Sequence, residues 1–270
     1  MPLLHVSGAR INYLRVGTGP AILMIQGAGL IGEGWRPQID ALAHAYTIVA
    51  PDNRGFGGSI LDNGRSVTID AMASDALAVM DAERIDRFHL VGHSMGGLIA
   101  QAVALRSRDR VKSLSLLCTF VRGAEGATMS AAMMAIALRM RIGTKEMRRN
   151  AFLEMIMPRT YLQTADRRRL AQEMAPLFGY DLANQPTFVM RQVRAMGKYD
   201  AADRWRDLAD IPTLIVCAAH DRLARPAYAR TLASLLPNAR FIEFGDAGHG
   251  VTIQCADRVN ALLREHFTRS

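Results

Sequence analysis

The run Phe88-His89-Leu90-Val91-Gly92-His93-Ser94-Met95-Gly96-Gly97 decides the fold. Its first four residues form a short β-prone run ending at a glycine, the composition of a buried strand, and the apolar segment from Met95 to Arg106 reads as a helix. Between them stands G-x-S-x-G. Small residues two positions either side of Ser94 allow a tight strand-to-helix turn that projects the serine side chain above a sheet. The bare pattern fixes only three positions; its setting between strand and helix, and its partners further along the chain, give it weight.

Outward from this turn, short apolar runs alternate with helix-length segments. Ala21 to Ile25, Tyr46 to Ala50, Val111 to Cys118, Thr213 to Cys217 and Arg240 to Phe244 join Phe88 to Val91 as strands. Such spacing implies βαβ units and a mainly parallel sheet. Thr68 to Ala82 places Ile69, Ala73, Ala76 and Met80 on one helical face, and Arg258 to His266 also reads as a helix. Leu3 to Val6 and Arg10 to Val16, joined through Ser7-Gly8, read as an opening antiparallel hairpin.

One interval breaks the alternation. Residues 122–199 hold helix-compatible sequence and no convincing strand, and are too many for an unstructured loop inside a compact domain. Ten of the fifteen methionines fall there. Methionine fills irregular apolar space, so helix packing is the plain reading and an adaptable roof over a pocket the sharper one. The expected organisation is a core domain of residues 1–121 and 200–270 carrying a helical cap of residues 122–199.

Further motifs stand at the strand ends. Gln26-Gly27-Ala28-Gly29 follows Ala21 to Ile25, and Asp52-Asn53-Arg54-Gly55-Phe56-Gly57-Gly58-Ser59 follows Tyr46 to Ala50. Asp221 and Gly248-His249 follow the last two strands. With the Ser94 turn, and in the order Ser, Asp, His, these motifs resemble the α/β-hydrolase family over nearly the whole chain. The resemblance implies an α/β-hydrolase fold: a mostly parallel eight-stranded sheet flanked by helices, with an all-helical cap inserted after strand 6. It further implies Ser94 as nucleophile, His249 as its base, Asp221 as the acid that orients the base, and the backbone N–H groups of Ala28 and Met95 as an oxyanion hole.

The residue types suit that chemistry. A neutral serine hydroxyl is a poor nucleophile; His249 within hydrogen-bond reach can take its proton and return it to the leaving group. Asp221 would hold the imidazole tautomer and stabilise the imidazolium. Attack on a carbonyl creates an oxyanion that needs fixed donors, and losing one such donor costs about 100 to 1,000 fold in turnover. Asp246, three residues before His249, is the competing acid. The other six histidines, His5, His44, His89, His93, His220 and His266, read as structural or solvent-facing. The Asp52 to Ser59 glycines suit a tight loop, so that segment reads as turn structure rather than chemistry.

Two departures sharpen the expectation. The family often has His-Gly where this chain has Gln26-Gly27, so a different side-chain hydrogen bond should hold the oxyanion loop. Haloalkane dehalogenases and epoxide hydrolases, which resemble this architecture, use Asp as nucleophile; Ser94 disfavours those activities. The expected reaction is cleavage of a small carboxylic ester or lactone through a Ser94 acyl-enzyme. Perhydrolase or acyltransferase activity, or enol-lactone or carbon–carbon hydrolysis, would use the same triad; a ligand receptor or signalling protein on this fold is the alternative of another class. Candidate pocket residues are Leu30, Ile31, Trp35, Phe120, Met133, Met134 and Val251.

Composition bounds the rest. With 270 residues, half of them apolar and 21% charged, the chain is expected to be a soluble globular protein. Cys118, Cys217 and Cys255 are odd in number and widely spaced, which argues for buried thiols rather than disulfides or a CxxC metal site. No H-E-x-x-H, G-x-G-x-x-G or Walker sequence occurs, so neither metal nor cofactor is expected. The first eight residues lack the start of a signal peptide and no apolar stretch is long enough to span a bilayer; a cytoplasmic monomer or homodimer is expected, without membrane or nucleic-acid partner. The net charge of +8 resides almost wholly in residues 122–199, where 13 Lys and Arg face 6 Asp and Glu. There Arg191, Arg194 and Lys198 share one helical face opposite Val189, Val193 and Met196, the pattern of a solvated outer surface, and Arg167-Arg168-Arg169 cannot all enter one pocket. Steering of an anionic substrate is the alternative use of that charge.

Overall fold

A computed structural model describes residues 3–270; the first two residues of the start read above lie outside it. Among the described residues the strands are β1 (Leu3–Val6), β2 (Ala9–Val16), β3 (Ala21–Ile25), β4 (Thr47–Pro51), β5 (Ile60–Leu61), β6 (Phe88–His93), β7 (Val111–Leu117), β8 (Thr213–Ala218) and β9 (Arg240–Phe244). Eight of them form one path in the order β1-β2-β4-β3-β6-β7-β8-β9, parallel from β4 to β9, with β2 antiparallel to both β1 and β4. The ninth, β5, pairs only with Ala9 and Arg10 of β2. Two residues are too few for any periodicity to announce, so the expected count of eight falls one short.

The central strands β3, β4, β6 and β8 are buried at every residue. Helices cover both faces of a parallel sheet, so such strands read as continuous apolar runs without alternation. Those helices include α1 (Arg36–Leu42), α2 (Ile69–Ala82) and α3 (Met95–Arg106). The Thr68 hydroxyl caps α2 by accepting from Ala71 N–H, and Ile69, Ala73, Ala76 and Met80 are all buried, as their spacing requires. Helix α3 is buried from Met95 through Ala104, which accounts for its apolar character all round.

Between β7 and β8 the chain forms α4 (Gly123–Ala127), α5 (Ala131–Arg139), α6 (Lys145–Ile156), α7 (Arg159–Thr164), α8 (Arg167–Phe178) and α9 (Val189–Gly197). Ser130, Thr144 and Asp166 cap α5, α6 and α8 through side-chain oxygens. Helices α5 to α8 enclose an apolar cluster of their own, including Met133, Met140, Met157, Met174, Phe152 and Phe178, into which Leu30 of the core reaches, whereas Met196 of α9 packs in the main core. The methionines therefore split: those four and Met196 are buried, Met155 is half-buried, and Met129, Met134, Met147 and Met190 are exposed. Arg191, Arg194 and Lys198 lie in solvent on α9, on the face their spacing indicates.

The chain continues past β8 through α10 (Pro226–Leu235), and past β9 through α11 (Val251–Gln254) to α12 (Ala256–Thr268). All three cysteines are buried free thiols. Among the described residues no helix is long and apolar enough to cross a membrane.

Candidate active site

Parallel strands carry their following loops to one edge of the sheet, where the ends of β3, β6, β8 and β9 present Gln26, Ser94, Asp221 and His249. Ser94 joins β6 directly to α3 with φ +55° and ψ −123°, a region costly for a residue with a side chain. The surroundings hold it there. Its N–H donates to Leu117 O at 3.0 Å, and its carbonyl accepts from Thr119 Oγ1 at 2.7 Å and Gly97 N–H at 2.9 Å. The turn needs its glycines: a β-carbon on Gly92 would lie 2.4 Å from Gly96 O, and one on Gly96 would lie 2.1 Å from Ile25 O.

Three side chains 28 and 155 residues apart in sequence form a chain of hydrogen bonds. His249 Nδ1 donates to Asp221 Oδ2 at 2.7 Å, which leaves Nε2 as the acceptor for the Ser94 hydroxyl at 3.0 Å. Asp221 Oδ1 accepts from the N–H groups of Leu223 and Ala224, both at 2.8 Å, so both carboxylate oxygens are committed. All three residues are buried, Ser94 at 9% exposure. Asp246 is exposed and paired with Arg258 at 2.7 Å, away from the imidazole. The Cys118 thiol, pushed up by burial and then by the Asp221 carboxylate beside it, stands as a protonated neighbour of this acid.

His93, read from sequence as one of the structural histidines, proves central to the geometry. Its Nε2 donates to the backbone carbonyl of His249 at 3.0 Å, and the two rings lie 4.9 Å apart. Burial, reinforced by the nearby His249, pushes its pKa down to about 3, so it stays neutral when His249 takes a proton. The signal in the sequence was its place inside G-x-S-x-G, which ties it rigidly to Ser94.

The loop after β3 passes so close to Ser94 that a β-carbon on Gly27 would lie 2.9 Å from Ser94 Cβ. As the missing family histidine implied, other side chains hold this loop. Gln26 Oε1 accepts from Gly27 N–H at 3.3 Å, and Gln192 Oε1, on α9, accepts from Gly29 N–H at 2.9 Å. Asn53 Nδ2 donates to Gln26 O at 3.0 Å, and Asp52 Oδ1 accepts from Gly32 N–H at 2.6 Å. Arg54 forms a buried bidentate pair with Asp75, both bonds 2.6 Å. The Asp52 to Ser59 segment is thus turn structure, as read, and its turn braces the loop beside Ser94. Met95 opens α3 directly after Ser94, and Ala28 follows Gly27 in the loop that meets Ser94.

The candidate pocket residues are scattered. Leu30 and Met133 are buried together in the cluster of the inserted helices, and Ile31 lies half-buried near Gly57 and Gly179. Trp35, Phe120 and Val251 are packed in the main core at 0%, 1% and 0% exposure. Met134 faces solvent at 54% exposure, because its neighbours Met133 and Ile136 take the inward positions of α5. Among the described residues no group of three or more His, Cys, Asp or Glu is placed to hold a metal ion.

The fold and this edge constellation define an α/β protein with a serine at a strained strand-to-helix turn, hydrogen-bonded to a histidine and an aspartate. Residues 20–254 match the model of the alpha/beta hydrolase fold family, and the chain belongs to that family. It is 30% identical over 265 residues, 97% of both chains, to a protein of Azorhizobium caulinodans that carries the provisional name carbamate hydrolase RutD. Among solved structures it resembles the enol-lactonase of Burkholderia xenovorans LB400 at 25% identity, with a TM-score of 0.80 over 99% of this chain and 100% of the other. The meta-cleavage product hydrolase of Pseudomonas fluorescens IP01 is similar at 26% identity, with a TM-score of 0.79 over 100% and 98% of the two chains.

Proposed function

We propose that this protein is a serine hydrolase that cleaves small carboxylic esters or lactones through an acyl-enzyme on Ser94. The observation that carries the reading is the pair of hydrogen bonds from Ser94 Oγ to His249 Nε2 and from His249 Nδ1 to Asp221 Oδ2. His249 takes the hydroxyl proton as Ser94 attacks the carbonyl carbon, and Asp221 balances the imidazolium charge. The carbonyl oxygen gains negative charge and is received by Ala28 and Met95 N–H. His249 then returns the proton to the leaving alcohol. Water, deprotonated by the same imidazole, attacks the acyl carbon and releases Ser94 and the acid.

Lactones belong in the substrate class because the full-length structural likeness includes an enol-lactonase. Carbamates belong in the test set because the 30%-identical relative carries that name. The deciding experiment measures hydrolysis of p-nitrophenyl esters of increasing acyl length, lactones and carbamates by the wild type and Ser94→Ala, with fluorophosphonate labelling of the serine. Turnover and labelling that both vanish in Ser94→Ala are expected. Retention of most activity in that variant would overturn the reading.

A further inference from the structure

We propose that Gln192, supplied by the inserted helix α9, is a positioning residue for the oxyanion loop. This deepens the serine-hydrolase reading and rests on it. The donor assigned to the loop is the N–H of Ala28, in the peptide joining Gly27 to Ala28. The peptides on either side are both gripped by glutamine oxygens: Gly27 N–H by Gln26 Oε1 at 3.3 Å, and Gly29 N–H by Gln192 Oε1 at 2.9 Å. Of the two, the grip from Gln192 is the shorter, and it crosses 163 positions of sequence. The donor peptide is therefore bracketed, and its N–H direction is set by two neighbours that cannot rotate freely.

The side chain that does this is unusual for its place. Gln192 is fully buried, on the inward stripe of α9 otherwise formed by Val189, Val193 and Met196. Its Nε2 has no hydrogen-bond partner. A leucine would fill that position without leaving a buried amide nitrogen unpaired, so packing does not account for the glutamine. The Gly29 bond does. Because the oxygen is committed to Gly29, the amide is held in one orientation.

Phe188, just before α9, and Arg191 also meet the core outside Gly29, at the Asp52 to Ser59 turn and at Arg65. The Phe188 ring lies over Gly55, where a β-carbon would come within 2.2 Å of it, and Arg191 donates to Arg65 O at 3.2 Å. Phe188→Ala loosens α9 without touching Gly29 and so separates docking from positioning.

The test compares wild type, Gln192→Leu and Phe188→Ala for kcat and KM on a short p-nitrophenyl ester, for inhibition by an alkyl boronic acid that forms a tetrahedral adduct with serine, and for Tm. Gln192→Leu is expected to lower kcat about 10 to 100 fold with KM nearly unchanged and to weaken the boronic acid in parallel, since only the tetrahedral state needs the loop donor. Phe188→Ala is expected to lower Tm while leaving boronic acid affinity within about threefold of wild type. Equal effects of both variants on kcat and on the boronic acid would reduce Gln192 to a docking contact, and an unchanged kcat in Gln192→Leu would remove its role. If the wild type neither turned over the ester nor bound the boronic acid, the serine-hydrolase reading itself would fall.

Discussion

His93 Nε2 and the backbone carbonyl of His249 are joined by a 3.0 Å hydrogen bond, so the residue before Ser94 holds the loop that carries His249. Ser94 and His249 come from strand ends far apart in sequence, and this bond fixes one to the other without using either reacting side chain. His93→Ala is expected to lower kcat on a short ester about tenfold or more, because small displacements of catalytic groups are expensive. KM should change little. Steady-state kinetics checks this, and an unchanged kcat would show that the bond positions nothing.

The acid can be identified by a pair of substitutions. Asp221→Asn keeps the side-chain shape but can donate to Nδ1, which favours the tautomer that can no longer accept the serine proton; a loss on the order of 10,000 fold in kcat is expected. Asp246→Asn breaks only an exposed pair with Arg258 and is expected to leave kcat within about twofold. Reversal of these two outcomes would reassign the acid.

Gly27→Ala tests how close the loop must come to the nucleophile. The added β-carbon would lie 2.9 Å from Ser94 Cβ and 3.4 Å from Oγ, so the loop or the serine must move. A fall in kcat of about 100 fold is expected, with the fold retained by circular dichroism. Full activity would mean that loop and serine adjust without cost.

Acid stability follows from three buried histidines. Burial pushes His93 down to about 3 and His89 to about 4, and lowers His266 as well, all from an ordinary 6.5. The unfolded chain binds protons at these sites below about pH 6.5 while the folded chain does not, so stability is present above that pH and is lost as pH falls toward 4. His93 and His89 each contribute up to about 1.4 kcal/mol per pH unit in that window, and His266 adds in the same direction. Urea denaturation at pH 7.5, 6.5, 5.5 and 4.5 should show the decline, flattened in His93→Gln. A constant unfolding free energy from pH 7.5 to 5 would contradict it.

Much of this molecule is legible in local sequence. The Gly92 to Gly96 pattern announces the strand-to-helix turn because the exclusion at Gly92 is local, from the Gly96 carbonyl four residues on, whereas that at Gly96 comes from Ile25 on the neighbouring strand. Helix α3 begins and ends at the residues read for it, and β3 and β9 do the same. The strands α/β folds bury on both faces are continuous apolar runs, and such runs are visible without a partner. The edge strand β5, by contrast, exists only because β2 is there to pair with it.

What sequence by itself determined was the order of the candidate site residues, Ser94, then Asp221, then His249, each after a strand, and the solvated face of α9. Tertiary structure alone decided which polar groups tie these segments together. Gln192 reads locally as a stray amide among apolar residues, and His93 as one more histidine in a strand. Their hydrogen bonds to Gly29 and His249 span 163 and 156 positions. A hydrogen bond is directional and short-ranged, so its partner is set by where distant segments pack, whereas hydrophobic periodicity is a property of each segment alone.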